Sequence, residues 1–220
     1  MEKKKFNVNE VLGEVDNFRR TWCTTNGRIL SLDSALGSEA TLIAAYNCSY
    51  APSTQRALVN PQRINTMLIR ENLKKDFINA LKIFLNANKT FNFEQWERDL
   101  AKHIRTQFID AGMTDYTYGN AQKWINMSIK YLFSSKNFDP LLPCFKLCYI
   151  PIDRDIQIKA HEILGIDYLF VNGKRTNSLP SWSNCDCMDD IVDFENRIRV
   201  ATDQLGYYSP LMWEIENWNR

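Results

Sequence analysis

With 220 residues, 45% of them apolar and 12% aromatic, the chain can bury one good-sized core, which excludes wholesale disorder. A formal net charge of +1 neither supports nor excludes a nucleic-acid partner, because binding depends on where the charges sit. No apolar run approaches the roughly 20 residues that cross a bilayer, and the basic start "MEKKK" has no apolar stretch of a secretory signal behind it. The expectation is an intracellular protein with no membrane partner, cytoplasmic, or nucleoid-associated in a bacterium or archaeon.

In chain order, "VNEVLGEVDNFRRTWCTT" fits a short amphipathic helix, and a second helix is expected to start near Asp33 or Ser34 in "SLDSALGSEATLIAAYNCSY". From Asn60–Pro61, a cap and first-turn pair, apolar residues recur at Ile64, Met67, Leu68, Leu73, Phe77, Leu81 and Leu85. The next helix carries Trp96, Leu100, Ile104 and Phe108 and stops at Gly112. The polar loop "MTDYTY" leads into a helix over Gly119–Phe133. "SSKNFDPLLPCFKLCYIP" has three prolines and no steady period, so it is expected to be a connector.

Helical signals resume at "DRDIQIKAHEILG" and end at Gly165, and Asn172–Gly173 marks a tight turn. A last long helix places Ile191, Phe194, Ile198 and Leu205 on one face, followed by the tryptophan-bearing tail "SPLMWEIENWN". The expected fold is all-α: one two-lobed helical domain over residues 1–220. The six cysteines form close pairs only as "CFKLC" and "CDC", beside just two histidines, His103 and His161. Buried or incidental reduced thiols are therefore expected rather than a metal site.

Two polar residues stand out. Lys123 shares a helix face with Asn126 and Lys130, and Asp153 ends "IPID" where the next helix begins. On residue type alone, Lys123 is a solvated helix lysine and Asp153 an N-cap. The ordered pair admits a second reading, an amine and a carboxylate brought together for chemistry.

Helix, loop, "GNAQK" opening a helix, then "PID" capping another: this order resembles the helix-hairpin-helix base-excision DNA glycosylase superfamily, over about residues 92–165. Gly119 and Lys123 match the first glycine and the lysine of its hairpin, and Pro151, Ile152 and Asp153 match its Pro-hydrophobic-Asp step. Ala121 stands where the second glycine would be, and the connector between lysine and aspartate is long. Both departures look most like the archaeal 8-oxoguanine glycosylase branch, where a Gln-Lys pair also opens the lysine helix.

The resemblance implies a DNA glycosylase for base excision repair. Lys123 and Asp153 would be catalytic, and the amides of Gly119, Asn120, Ala121 and Gln122 would hold a DNA phosphate. It further implies AP-lyase chemistry through a lysine Schiff base, no cofactor, and DNA with a damaged or modified base as partner. No nucleotide loop or metal-ligand set argues otherwise. Trp124 and Lys130 are candidate pocket residues. Trp22, Tyr46, Tyr50, Trp182 and Trp213 are further aromatics that could stack on a flipped base, although each is more readily a core residue. The alternatives are a non-catalytic helical DNA-binding or partner-binding protein, and an apolar helical interaction module.

Overall fold

A computed structural model describes residues 8–25, 38–50, 64–175 and 178–218, and every regular element among them is helical. In chain order these are α1 (Val8–Thr25), α2 (Ser38–Ser49), α3 (Thr66–Leu85), α4 (Phe93–Asp110), α5 (Tyr118–Ser134), α6 (Pro143–Leu147), α7 (Arg154–Leu164), α8 (Met188–Gln204) and α9 (Pro210–Trp218), with a single 3-10 turn at Trp182–Asn184. The all-α expectation holds.

Local side chains set several helix starts. Asn65, Asn92 and Asp153 each accept a hydrogen bond from the backbone N–H three residues on, which satisfies one of the donors that a helix start leaves unpaired. The third helix therefore begins at Thr66, capped by Asn65. The Asn60–Pro61 pair expected to start it lies outside the described residues, as do Asp33 and Ser34. Asn172 and Gly173 both take positive φ, 54° and 74°, and close a turn in which Val171 and Lys174 exchange backbone hydrogen bonds.

The apolar spacing of α3 points inward through Leu73, Phe77 and Leu81, as expected. Met67 and Leu68 differ: they are 70% and 59% exposed, and Ile69 takes the buried position of that turn. The expected connector after α5 contains the short helix α6, whose Cys144 and Phe145 are fully buried. Burial pushes the Cys144 thiol up to about 11, so it behaves as a small apolar group.

At the centre lies α5, packed by α1, α2, α4, α8 and the 3-10 turn. A helix covered on so many sides has no solvent face, and Lys123, Asn126 and Lys130 are buried together with Trp124, Ile125 and Leu132. The expected solvated lysine face is thus an interior face. The physical reason is that each polar group on it meets a carboxyl group from another element.

Candidate active site

The start of α5 is fixed by its own capping box. Thr117 accepts from the Asn120 amide at 3.3 Å, and Asn120 Oδ1 accepts from the Thr117 amide at 3.1 Å. The Gly119 amide donates to the Cys185 carbonyl at 2.9 Å, the Tyr118 amide to Asp186 Oδ1 at 3.3 Å, and the Ala121 amide to the Thr117 carbonyl at 3.2 Å. Every N–H of this first turn is therefore occupied from within the chain. Gly119, Asn120, Ala121 and Gln122 are all buried, so the expectation that they cradle a DNA phosphate is not met in this structure. Where a phosphate would sit, the Cys185 carbonyl and the Asp186 carboxylate, just after the 3-10 turn, accept from the Gly119 and Tyr118 amides.

Gly119 is glycine because that turn approaches it so closely. A Cβ there would lie 2.0 Å from the Trp182 carbonyl oxygen, a backbone atom that cannot swing away. We expect Gly119→Ala to lower stability by roughly 1–3 kcal/mol, the usual cost of overpacking, as read from urea unfolding. Unchanged stability would mean that the turn is not docked on the helix.

Two successive residues of α5 hold the segment before α7. The Gln122 side-chain amide grips the Ile152 backbone at both ends, donating to its carbonyl and accepting from its N–H, each at 3.2 Å. Lys123 Nζ then donates to Asp153 Oδ2 at 2.7 Å and lies 3.4 Å from the Pro151 carbonyl. Asp153 has a job for each oxygen, since Oδ1 caps α7 by accepting from the Ile156 amide at 2.8 Å. The capping and ion-pair readings of Asp153 therefore coincide.

Lys123 is 2% exposed, whereas the Asp153 side chain keeps 17% of its surface open. Burial by itself would raise the Asp153 carboxyl. The Lys123 ammonium, the two hydrogen bonds and the more distant Lys130 outweigh it and hold the group below its ordinary value. Trp182, half-buried, sits with its ring centroid 6.0 Å from Lys123 Nζ, at the outer edge of cation–π range.

The candidate pocket residues fall elsewhere. Trp124 is in the core, its ring 4.8–5.0 Å from those of Tyr46, Tyr50 and Phe77, and its Nε1 donates to the Tyr46 carbonyl. Tyr46, Tyr50 and Trp213 are buried as well, and the Trp22 side chain lies outside the described residues. Lys130 pairs with Glu214 of α9 at 2.7 Å, both groups fully buried, with the Phe18 ring 4.7 Å from the ammonium. Burial pushes Lys130 down and Glu214 up, while each opposes the shift of the other. Lys123 and Asp153 act on both groups, so the two ion pairs share one field.

Sequence reasoning singled out neither Glu214 nor the special place of Trp182. The legible signal for Glu214 was indirect: a polar stripe at 123, 126 and 130 on an otherwise apolar helix needs buried partners. Comparison of the chain with protein-family models, curated proteins and solved structures yields no match, so the functional reading rests on the geometry of these residues.

Proposed function

We propose that this chain is a DNA glycosylase that removes a damaged or modified base through Lys123 and Asp153. One observation carries the reading: Lys123 Nζ and Asp153 Oδ2, thirty positions apart in sequence, meet at 2.7 Å where the amine is enclosed and the carboxylate is still open on one side.

Loss of a base leaves positive charge on the sugar, and a carboxylate kept ionised stabilises that charge electrostatically. Asp153 suits this role because its neighbours favour its charged form. Attack by Lys123 needs a free lone pair, so its ammonium proton must first pass to water, which reaches the pair at the open side of Asp153. The Nζ–C1′ bond then forms as the glycosidic bond breaks, and its electron pair departs with the base. The base takes up a proton from water, and the C1′–O4′ bond of the aminal left behind then opens, with the amine proton ending on O4′, to give an iminium that is either hydrolysed or undergoes β-elimination, which cuts the strand. Trp182 is the aromatic available beside the amine for a base taken out of the stack.

Borohydride trapping on a panel of DNA duplexes with abasic sites and damaged bases tests the proposal. A covalent adduct with base release supports it, and neither product on any lesion removes its basis. The occupied amides at the start of α5 favour a second reading, a non-catalytic helical DNA-binding or partner-binding protein. That reading predicts salt-dependent binding to duplex without turnover.

A further inference from the structure

Behind the Lys123–Asp153 pair, Asn126 lies one helical turn on from Gln122 and is wholly buried. Its Nδ2 donates to Glu97 Oε1 from α4 at 2.8 Å and to Glu195 Oε1 from α8 at 2.8 Å, and lies 3.4 Å from Gln122 Oε1. Both glutamates are buried, and among the described residues no lysine or arginine forms an ion pair with either. Arg98 on α4 turns to Glu94 and Asp189, and Arg199 on α8 turns to Asn196.

Two ionised carboxylates only accept hydrogen bonds, so Glu97 Oε2 and Glu195 Oε2 would both stay unpartnered in the interior. One proton resolves this, because both carboxyl groups converge on the same Asn126 nitrogen, each 2.8 Å from it, and a protonated carboxyl group becomes a donor. We propose that Glu97 and Glu195 share a buried proton, and that this singly protonated pair, through Asn126 and Gln122, positions the Ile152–Asp153 segment against Lys123. Glu97, Glu195 and Asn126 are then positioning residues of the site, which touch no reacting atom. Only the catalytic consequence rests on the glycosylase reading.

The electrostatics agree with the geometry. Burial pushes Glu97 up to about 7 and Glu195 well above its ordinary value. The other groups facing them do not reverse this: Arg98 and Arg199 lower, Glu94 raises, and each glutamate acts on the other. Burial pushes up Tyr149 and Cys148, from the segment before Asp153, and Glu97 adds to both shifts, with Glu195 adding to that of Tyr149. Because the folded values are raised, the folded state keeps protons that the unfolded chain releases above about pH 4.3. Stability therefore falls as pH rises from there to the folded values, and the folding equilibrium constant drops by up to about tenfold per pH unit for each proton retained.

The test is urea unfolding from about pH 5 to about pH 9, combined with carboxyl NMR titration of Asp153. Wild type should lose stability with rising pH, and the double variant Glu97→Gln/Glu195→Gln should lose that slope. Glu195→Gln, whose amide supplies a donor permanently, should keep the low titration of Asp153. Glu195→Leu and Asn126→Leu should move it upward toward the ordinary value. An identical pH slope in wild type and the double variant would overturn the shared proton. Unchanged Asp153 titration in both leucine variants would overturn the positioning role. Neither readout needs catalysis, so failure of the glycosylase reading would show separately, as no trapped adduct.

Discussion

Lys123→Gln should abolish the borohydride-trapped adduct and leave a folded protein. The substitution removes the only amine among the described residues that contacts Asp153 and keeps a polar side chain of nearly the same length. The carboxylate left behind is still capping α7 and still partly open to water, so losing its partner is tolerable. Asp153→Asn differs, because one amide oxygen must replace two carboxylate oxygens. Either the Ile156 amide or the Lys123 ammonium loses its acceptor, and the amide NH2 then faces a donor.

We therefore expect Asp153→Asn to slow base release by on the order of a hundredfold or more, and to cost about 1–3 kcal/mol in stability from the orphaned donor. Single-turnover assays and urea melts read the two effects separately. Because the Asp153 carboxyl is held below its ordinary value, its contribution is fully present above about pH 3.9, the unfolded value. It is lost as pH falls through the lower folded value. Acid unfolding of Asp153→Asn should lack that component. A trapped adduct with Lys123→Gln would assign the nucleophile elsewhere.

How much of this was legible follows from what each signal depends on. Helices are governed by spacing and caps within a few residues, so α4, α7 and α8 could be read directly from Leu100–Ile104–Phe108, Asp153 and Ile191–Phe194–Ile198. Short-range patterning does not distinguish a solvent face from an interior polar face. Lys123, Asn126 and Lys130 have the spacing of either, and only the arrival of Asp153, Glu97, Glu195 and Glu214 from four other parts of the chain decides it.

The same limit explains the start of α5. "GNAQK" looks like an open phosphate cradle until the turn near Trp182, some sixty positions later, packs against Gly119 and takes its amide, while Thr117 takes those of Asn120 and Ala121. Met67 and Leu68 show the reverse case, where apolar residues that fit a helical period face outward. Trp182 was visible as a residue, but its place beside Lys123 depends on the docking of that same turn.

The Lys130–Glu214 pair carries the other large effect. Two opposite charges with essentially no exposure gain strong attraction at 2.7 Å, yet both have left water to make it. Desolvation commonly cancels most of such a gain, which is why burial pushes each group toward its neutral form here. Removing one member alone should be severe, because the other charge stays enclosed. Glu214→Gln or Lys130→Met is expected to cost about 3–5 kcal/mol. Replacing both, as Lys130→Met with Glu214→Leu, should recover that loss and leave stability near that of the wild-type protein or above it.

A double-mutant cycle in urea measures the coupling, and additive single costs in the double variant would contradict it. If the double variant is as stable as wild type, the charges are not there for stability, and their nearness to Lys123 and Asp153 becomes the reason to keep them. The trapping assay on that stable variant then decides between two roles. Full activity would leave the pair without a part in the chemistry, whereas lost activity in a sound fold would make the shared field of the two ion pairs part of the site.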